Sequence, residues 1–294
     1  MMPSRVTVEN YWRLTKPRIW GLLVFTGMVA MLVAYRETNT APSIGALATC
    51  FVALTFGAAS AEVLTNYHDR DIDATMERTK NRPLPRGVIS PRNALVFGMV
   101  MAVLSVLIPL RFITLSSTGF MFVGLVDNVI VYSLLLKRRT WASIILGGVS
   151  GGMPVLVGYA AVPGANPFAP IALYMSALVM IWIPTHIWSL AVFSRADYEA
   201  ARIPMLPVVF GEKVASVCIA ATSALLAVFS IAVFLFTTIN VFYVVSAATL
   251  GATVLGYSAK LALDRDRKSA WTLFKITSPY LALIFLVLGV TIWF

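Results

Sequence analysis

Nine uninterrupted apolar runs leave this 294-residue chain few ways to fold. They fall at approximately 18–36, 43–65, 92–110, 113–136, 141–161, 168–193, 213–236, 239–259 and 271–293. A helix needs roughly 20 apolar residues to cross a bilayer core, and each run supplies about that many without the alternation of a barrel strand. In lipid, backbone amides must find partners within their own segment, so runs of this kind become helices. The expectation is an all-α, polytopic membrane bundle of nine transmembrane helices. Only 12% of the residues are charged, where soluble domains carry about 25%, so lipid is the main solvent. The first run follows Arg13, Lys16 and Arg18 and is long enough to span, so it reads as the first helix and not as a cleaved signal. Cys50 and Cys218 both fall inside predicted spans, as small packing residues and not as a disulfide framework.

The net charge of +10 is not a nucleic-acid signature, because of where the charges lie. With the connections numbered alternately from an inside N-terminus, 21 of the 23 basic residues fall on one side, Arg5 to Arg18 among them. Only Arg36 and Arg111 fall on the other. That asymmetry predicts a multi-pass protein of the plasma membrane with its N-terminus in the cytoplasm and its C-terminus outside. Three inner connections are long and charged: 66–91, 194–212 and 260–270. Function is therefore expected at the cytoplasmic face.

The first of these connections carries Asn66, Asp69, Asp71, Asp73, Arg78, Lys80 and Arg82. If the second helix continues through it at 100° per residue, Glu62, Asn66, Asp69 and Asp73 share an arc of roughly 60°, and Asp71 points the other way. Acids crowded at a membrane boundary repel one another and are poorly solvated. A divalent cation offsets that cost, and Mg²⁺ takes one or two carboxylates together with waters and substrate phosphates. Asn66 adds an amide oxygen. Arg78, Lys80 and Arg82 suit phosphate oxygens. The pattern fits a metal-bridged diphosphate. The same spacing also fits a solvated loop of mutual salt bridges.

The second acidic connection contains Asp197 and Glu199. Asp197 is the better ligand, since Glu199 would face away on a helix. Asp69 and Asp197 are 128 residues apart, and the Tyr132-Ser133 and Tyr257-Ser258 pairs are 125 apart. The similar offsets point to two four-helix halves plus a ninth helix, with the acidic loops meeting over a central cavity. Asp127 lies within a span, where an ionisable residue is either a cavity lining or another helix's partner. His186, beside Pro184 near the end of the sixth run, is a candidate contact for an acceptor substrate; His68 is expected to be interfacial. The glycines at 147, 148, 151, 152 and 158 permit close helix packing, or a wall shaped for a flat ligand.

Asn66-x-x-Asp69-x-x-x-Asp73, followed by Arg78-Thr79 and Asn81-Arg82-Pro83-Leu84, resembles the first motif of the UbiA-type prenyltransferases. Further features resemble the branch of that family that farnesylates heme. They are Leu14-Thr15-Lys16-Pro17-Arg18, Tyr67-His68-Asp69, Tyr132 with Leu136-Lys137-Arg138-x-Thr140, and His186-Ile187-Trp188-Ser189-Leu190-Ala191 before Asp197-Tyr198 and Ile203-Pro204-Met205-Leu206-Pro207. The match runs from about residue 11 to 213, in order and spacing. It implies one prenyltransferase domain over 1–294. It also implies Mg²⁺-assisted transfer of farnesyl from farnesyl diphosphate to a vinyl group of heme B, giving heme O. Asn66, Asp69 and Asp73 would bind Mg²⁺–diphosphate; Arg78, Lys137 and Arg138 would hold phosphate oxygens; Asp197 would serve a second metal. Tyr132, Trp182 and Trp188 offer aromatic faces to a carbocation. A downstream heme A synthase or terminal oxidase is an implied partner. Ala201, where other branches carry a second Asp, and Met153-Pro154-Val155, in place of the more usual Pro-Pro pair, depart from the pattern. Competing functions are a UbiA-type enzyme acting on a quinone precursor or lipid acceptor, and a divalent-cation or small-molecule transporter.

Overall fold

A computed structural model describes residues 7–293. Arg5, one of the basic residues assigned to the inner side, lies outside the described residues. In chain order the helices are α1 Val8–Leu14, α2 Pro17–Glu37, α3 Ile44–His68, α4 Arg70–Thr75, α5 Pro91–Phe112, and α6 Leu115–Leu125 with a π-wound continuation Val126–Leu136. There follow α7 Ser143–Leu146, α8 Val149–Ala160, α9 Pro170–Phe193, α10 Arg195–Ala200, α11 Leu206–Ile231 with a 3-10 end Ala232–Leu235, α12 Val241–Asp264 and α13 Arg267–Trp293. Nine segments among the described residues are long and apolar enough to cross a membrane, one for each run read from the sequence. The chain is a multi-pass membrane protein.

The helix starts follow local chemistry. Ser43, Ser90, Thr114 and Asn240 accept a backbone N–H of the first turn with their side chains, which satisfies donors the helix itself leaves open. Pro17, Pro91 and Pro170 sit at first-turn positions where no donor is needed. The connection expected over 260–270 is not a long loop. Residue Asp264 ends α12 and Arg267 begins α13, with Arg265 (φ 52°) reversing the chain between them. Likewise α11 begins at Leu206, seven residues before the predicted start at 213, and is kinked at Gly211 (φ 79°, ψ 170°). Charged residues near a bilayer surface end an apolar run without ending the helix.

Sequential helices pack side by side: α2 on α3, α3 on α5 and α5 on α6 in the first part, and α8 on α9, α9 on α11 and α11 on α12 in the second. The last helix, α13, packs on α2, α9 and α12, and α2 packs on α8. In lipid these contacts rest on close packing of small residues. At the end opposite the charged loops, three buried tyrosines tie helices to the end of α11. Tyr174 Oη donates to the carbonyls of Phe229 (2.9 Å) and Ser230 (3.0 Å), and Tyr243 Oη donates to Ser230 O at 2.9 Å. Tyr280 Oη lies 2.5 Å from Ser230 Oγ. Tyr174 and Tyr243 thus bring side-chain donors to carbonyls at the end of α11, and Tyr280 meets the Ser230 hydroxyl there.

The fifth span is broken at Gly147 and Gly148, between α7 and α8. The break frees backbone N–H groups inside the membrane, and Asp127 accepts one of them, from Ser150 N at 2.7 Å. Asp127 is therefore a helix cap supplied by a neighbouring helix. Asp127→Ala is expected to lower stability by about 1 kcal/mol, as loss of an N-cap does. A thermal melt of the detergent-solubilised variant measures it.

Candidate functional site

A cavity of about 560 Å³ opens at the charged end of the bundle. Its lining residues come from α2, α3, α4, α6 with its π-wound continuation, α7, α8, α9 and α13, together with the 76–82 segment, Tyr198 and the inter-helix residues Lys16, Asp69, Lys137 and Gly147. Deeper walls are apolar: Leu22, Leu54, Met121, Pro154, Val157, Trp182 and Ile183. The mouth is ionic.

The acidic row forms as its spacing predicts, although α3 does not run through it. The helix ends at His68, and Asp69 (φ −88°, ψ 7°) joins it to α4. Because Asp69 N still bonds Thr65 O and Asp73 N bonds Asp69 O, the helical phase carries across the break. Asn66, Asp69 and Asp73 are buried at 3%, 2% and 5% exposure. The Asp71 side chain is 61% exposed. Asn66 Nδ2 donates to Leu14 O at 2.8 Å. That bond turns the amide oxygen toward Arg82, whose Nη1 reaches Asn66 Oδ1 at 3.2 Å and Asp73 Oδ2 at 2.7 Å. Thr79 Oγ1, donating to Asp73 O at 3.0 Å, folds the loop back so that Arg82 lies over the acids.

Lys137 pairs with Asp69. Burial would lower the Lys137 pKa, but Tyr132 and Asp69 beside it hold it above the ordinary lysine value, so the amine stays charged. Its position depends on helix winding. At 100° per residue Asn128 and Lys137, nine residues apart, would lie on opposite faces. The i→i+5 winding of Val126–Leu136, closed by Lys137 N to Tyr132 O at 2.8 Å, widens each turn. Asn128, Tyr132 and Lys137 all line the cavity as a result.

Of the residues singled out from the sequence, Asp69, Asp73, Arg78, Arg82, Tyr132, Lys137 and His186 line this one cavity. Asn66 lies directly behind them. Arg138 does not join them: its two Nη atoms bond the Asp71 carboxylate at 2.7 Å each, on the exposed side. Asp197 accepts from Glu77 N at 3.0 Å and so ties the two acidic loops together, while its neighbour Tyr198 faces the cavity. His68, expected to be interfacial, is half-buried at the end of α3, with Nδ1 3.3 Å from Asp69 Oδ1 and 3.4 Å from Ser133 Oγ. Glu62 pairs with Lys16 at 2.7 Å. Lys16 was part of a motif but had no role read from the sequence; burial pushes its pKa down, and Glu62 works against that.

The Arg138 hydrogen bonds hold the Asp71 carboxyl down at about 2. A depressed acid contributes stability above the ordinary carboxylate range and loses it as pH falls through about 2. Exposure keeps that contribution small. Asp71→Asn is therefore expected to leave turnover within a few-fold of wild type, as an exposed pair implies, in contrast to the same change at Asp69. Parallel kinetics of the two variants check this; an equal loss would contradict the difference in facing.

Among the described residues no three His, Cys, Asp or Glu side chains converge as a complete metal-ligand cluster. The donor set at the cavity is the two carboxylates of Asp69 and Asp73, with the Asn66 amide oxygen oriented behind them on Arg82, all hard oxygens. It fits Mg²⁺, which completes its shell from waters and phosphate oxygens. Each of these acids now meets a Lys or Arg, which a phosphate could take over.

Residues 23–289 match the model of the UbiA prenyltransferase family. The chain is similar to the protoheme IX farnesyltransferase of Thermoplasma volcanium, with 43% identity over 286 residues, 97% of this chain and 98% of that protein. It is also similar in structure to digeranylgeranylglyceryl phosphate synthase (TM-score 0.77, 17% identity, 97% of this chain and 98% of that one). A UbiA homolog from Archaeoglobus fulgidus, solved with GPP and Mg²⁺, aligns with TM-score 0.65 and 18% identity, over 95% of this chain and 99% of that one. At such identities the two structural likenesses establish the fold alone.

Proposed function

The chain belongs to the UbiA prenyltransferase family, and from that premise we propose that it transfers farnesyl from farnesyl diphosphate to a vinyl group of heme B, giving heme O. The observation that carries this is the joining of a buried acid–amide row and flanking cations to an apolar chamber in one cavity. The heme acceptor is supported by the 43% identity to a protoheme IX farnesyltransferase over nearly the whole chain.

Asn66, Asp69 and Asp73 are proposed to hold Mg²⁺ against the diphosphate, with Asp197 serving a second ion. Bound there, Mg²⁺ neutralises charge on the leaving diphosphate as a Lewis acid. Lys137, Arg82 and Arg78 hold phosphate oxygens, and Arg138 orders the first loop through Asp71. The electron pair of the allylic C–O bond leaves with the diphosphate, where these fixed cations stabilise it. The vinyl group adds to the allylic carbon, and water takes the product cation and releases a proton. The apolar walls keep water away until carbon–carbon bond formation, and Tyr132 presents an aromatic face to the cation. The prenyl tail and the porphyrin enter from the bilayer. The N-terminus and acidic loops lie on the cytoplasmic side of the plasma membrane and the C-terminus lies outside, as the 21-to-2 charge split supports. The product passes to a heme A synthase or terminal oxidase.

Incubation of the purified protein with heme B, farnesyl diphosphate and Mg²⁺, followed by mass spectrometry of the heme, tests the reaction. Aromatic acids and lipid glycerols run in parallel. Farnesylation of one of those and not of heme would replace the acceptor. Divalent-ion flux into proteoliposomes with no prenyl transfer would favour a transporter.

A further inference from the structure

His186 is a half-buried titratable side chain that the diphosphate site does not use, although it lines the same cavity. Its ring is clamped on both faces. Trp182 stacks on one side at 4.4 Å between centroids, and Phe274 on the other at 4.3 Å. Trp182 is itself fixed, with Nε1 donating to Thr277 O at 2.7 Å. The imidazole can neither tilt nor flip without dismantling this stack.

Its protonation follows from a count of donors. His186 Nδ1 lies 2.7 Å from Thr277 Oγ1, and that hydroxyl lies 2.9 Å from Phe274 O in the preceding turn. A hydroxyl has one proton to give. If it goes to Phe274 O, then Nδ1–H donates to Thr277 and every donor is used. If it goes to Nδ1, the imidazole proton sits on Nε2, away from the Thr277 hydroxyl, while the Phe274 backbone that also meets this ring is a further acceptor for a proton on Nδ1. Orphaned buried N–H groups are rarer in folded proteins than under-used acceptors. The first arrangement wins, and Nε2 offers an unprotonated lone pair to the cavity.

A rigid ring, its other nitrogen bonded to a neighbour and Nε2 bare, is how a histidine presents itself to a metal. The acceptor proposed above carries a metal at its centre, and this step rests on that proposal. We infer that His186 Nε2 is an axial ligand of the iron in the porphyrin substrate. The lone pair fills an open iron position; no electron or proton is transferred. The bond holds the macrocycle in one register relative to the diphosphate site. Thr277 acts through Nδ1 as a positioning residue.

The experiment uses the purified full-length protein and ferric heme B without farnesyl diphosphate, followed in the Soret band and by electron paramagnetic resonance. Wild type is expected to show a nitrogen-ligated signature that disappears in His186→Ala and in His186→Gln, which preserves the ring's bulk in part, and that added imidazole restores in His186→Ala. Thr277→Val should retain the signature and bind heme roughly tenfold more weakly, as loss of a ligand's outer partner does. In turnover, wild type should show a lower KM for heme B than for iron-free protoporphyrin IX, and in His186→Gln that difference should vanish. An unchanged spectrum in both folded His186 variants overturns the inference. So does a variant that keeps the ligated spectrum yet loses turnover, which would make Nε2 a proton acceptor. Failure of the heme proposal itself reads differently: wild type would prenylate another acceptor and leave heme B unmodified.

Discussion

Asp69→Ala is expected to abolish prenyl transfer while the protein remains folded in the membrane. Asp69 is 2% exposed, lines the cavity, and is the counter-charge of Lys137. Its loss removes one proposed metal ligand and leaves the lysine free to settle elsewhere. Losing one preorganised electrostatic contact to developing charge costs about 10²–10³ in kcat, and here two contacts go together. Mass spectrometry of the heme product gives the rate. Size-exclusion of the solubilised protein shows that folding persists, as it should, because Asp69 sits at a helix end and not in an apolar span. Asp73→Ala should behave the same way, since it frees Arg82 as Asp69→Ala frees Lys137. Ordinary turnover by either folded variant would remove the diphosphate assignment.

Gly158→Val should unfold or severely destabilise the bundle. A Cβ at Gly158 would overlap the Gly27 carbonyl oxygen of α2, and one at Gly27 would come within 2.6 Å of Pro154 O. The obstacle is backbone on a facing helix, so no rotamer relieves it. Overpacking typically costs about 1–3 kcal/mol, and a backbone obstacle puts this change at or above the top of that range. Leu22 and Leu23 of α2 and Pro154 and Val157 of α8 also wall the cavity, so activity should fall with stability. Gly21 of α2 provides the control: its Cβ would meet nothing within 4 Å, and Gly21→Ala should melt like wild type. Equal melting temperatures for the two variants would mean that the α2–α8 approach does not hold the fold.

Much of the candidate site was legible because helical phase is a local property. The row of Asn66, Asp69 and Asp73, with Asp71 facing away, follows from angular spacing, and the break at Asp69 preserved it because the i→i+4 bonding continued. Arg138 and Asp197 were not legible in the same way. Each is basic or acidic at a suitable place in the chain, yet Arg138 bonds Asp71 and Asp197 bonds Glu77 N. Which partner a charge meets depends on how two loops cross, and spacing along one loop does not contain that. Thr277 carried no signal at all, since an ordinary threonine within an apolar run becomes informative only when His186 stands opposite it.

Sequence alone determined the nine helices, the end at which the charges gather, and the face on which the acids lie. Each of these follows from interactions within a segment or between a segment and lipid: backbone hydrogen bonding closes inside each run, and charges stay at the boundary. Only the tertiary structure decided which cation meets which acid, that Asp127 caps the broken fifth span, and that π-winding brings Lys137 onto the cavity face. Those outcomes depend on the approach of residues far apart in the chain, where packing against a neighbouring helix outweighs the regular turn that local spacing assumes.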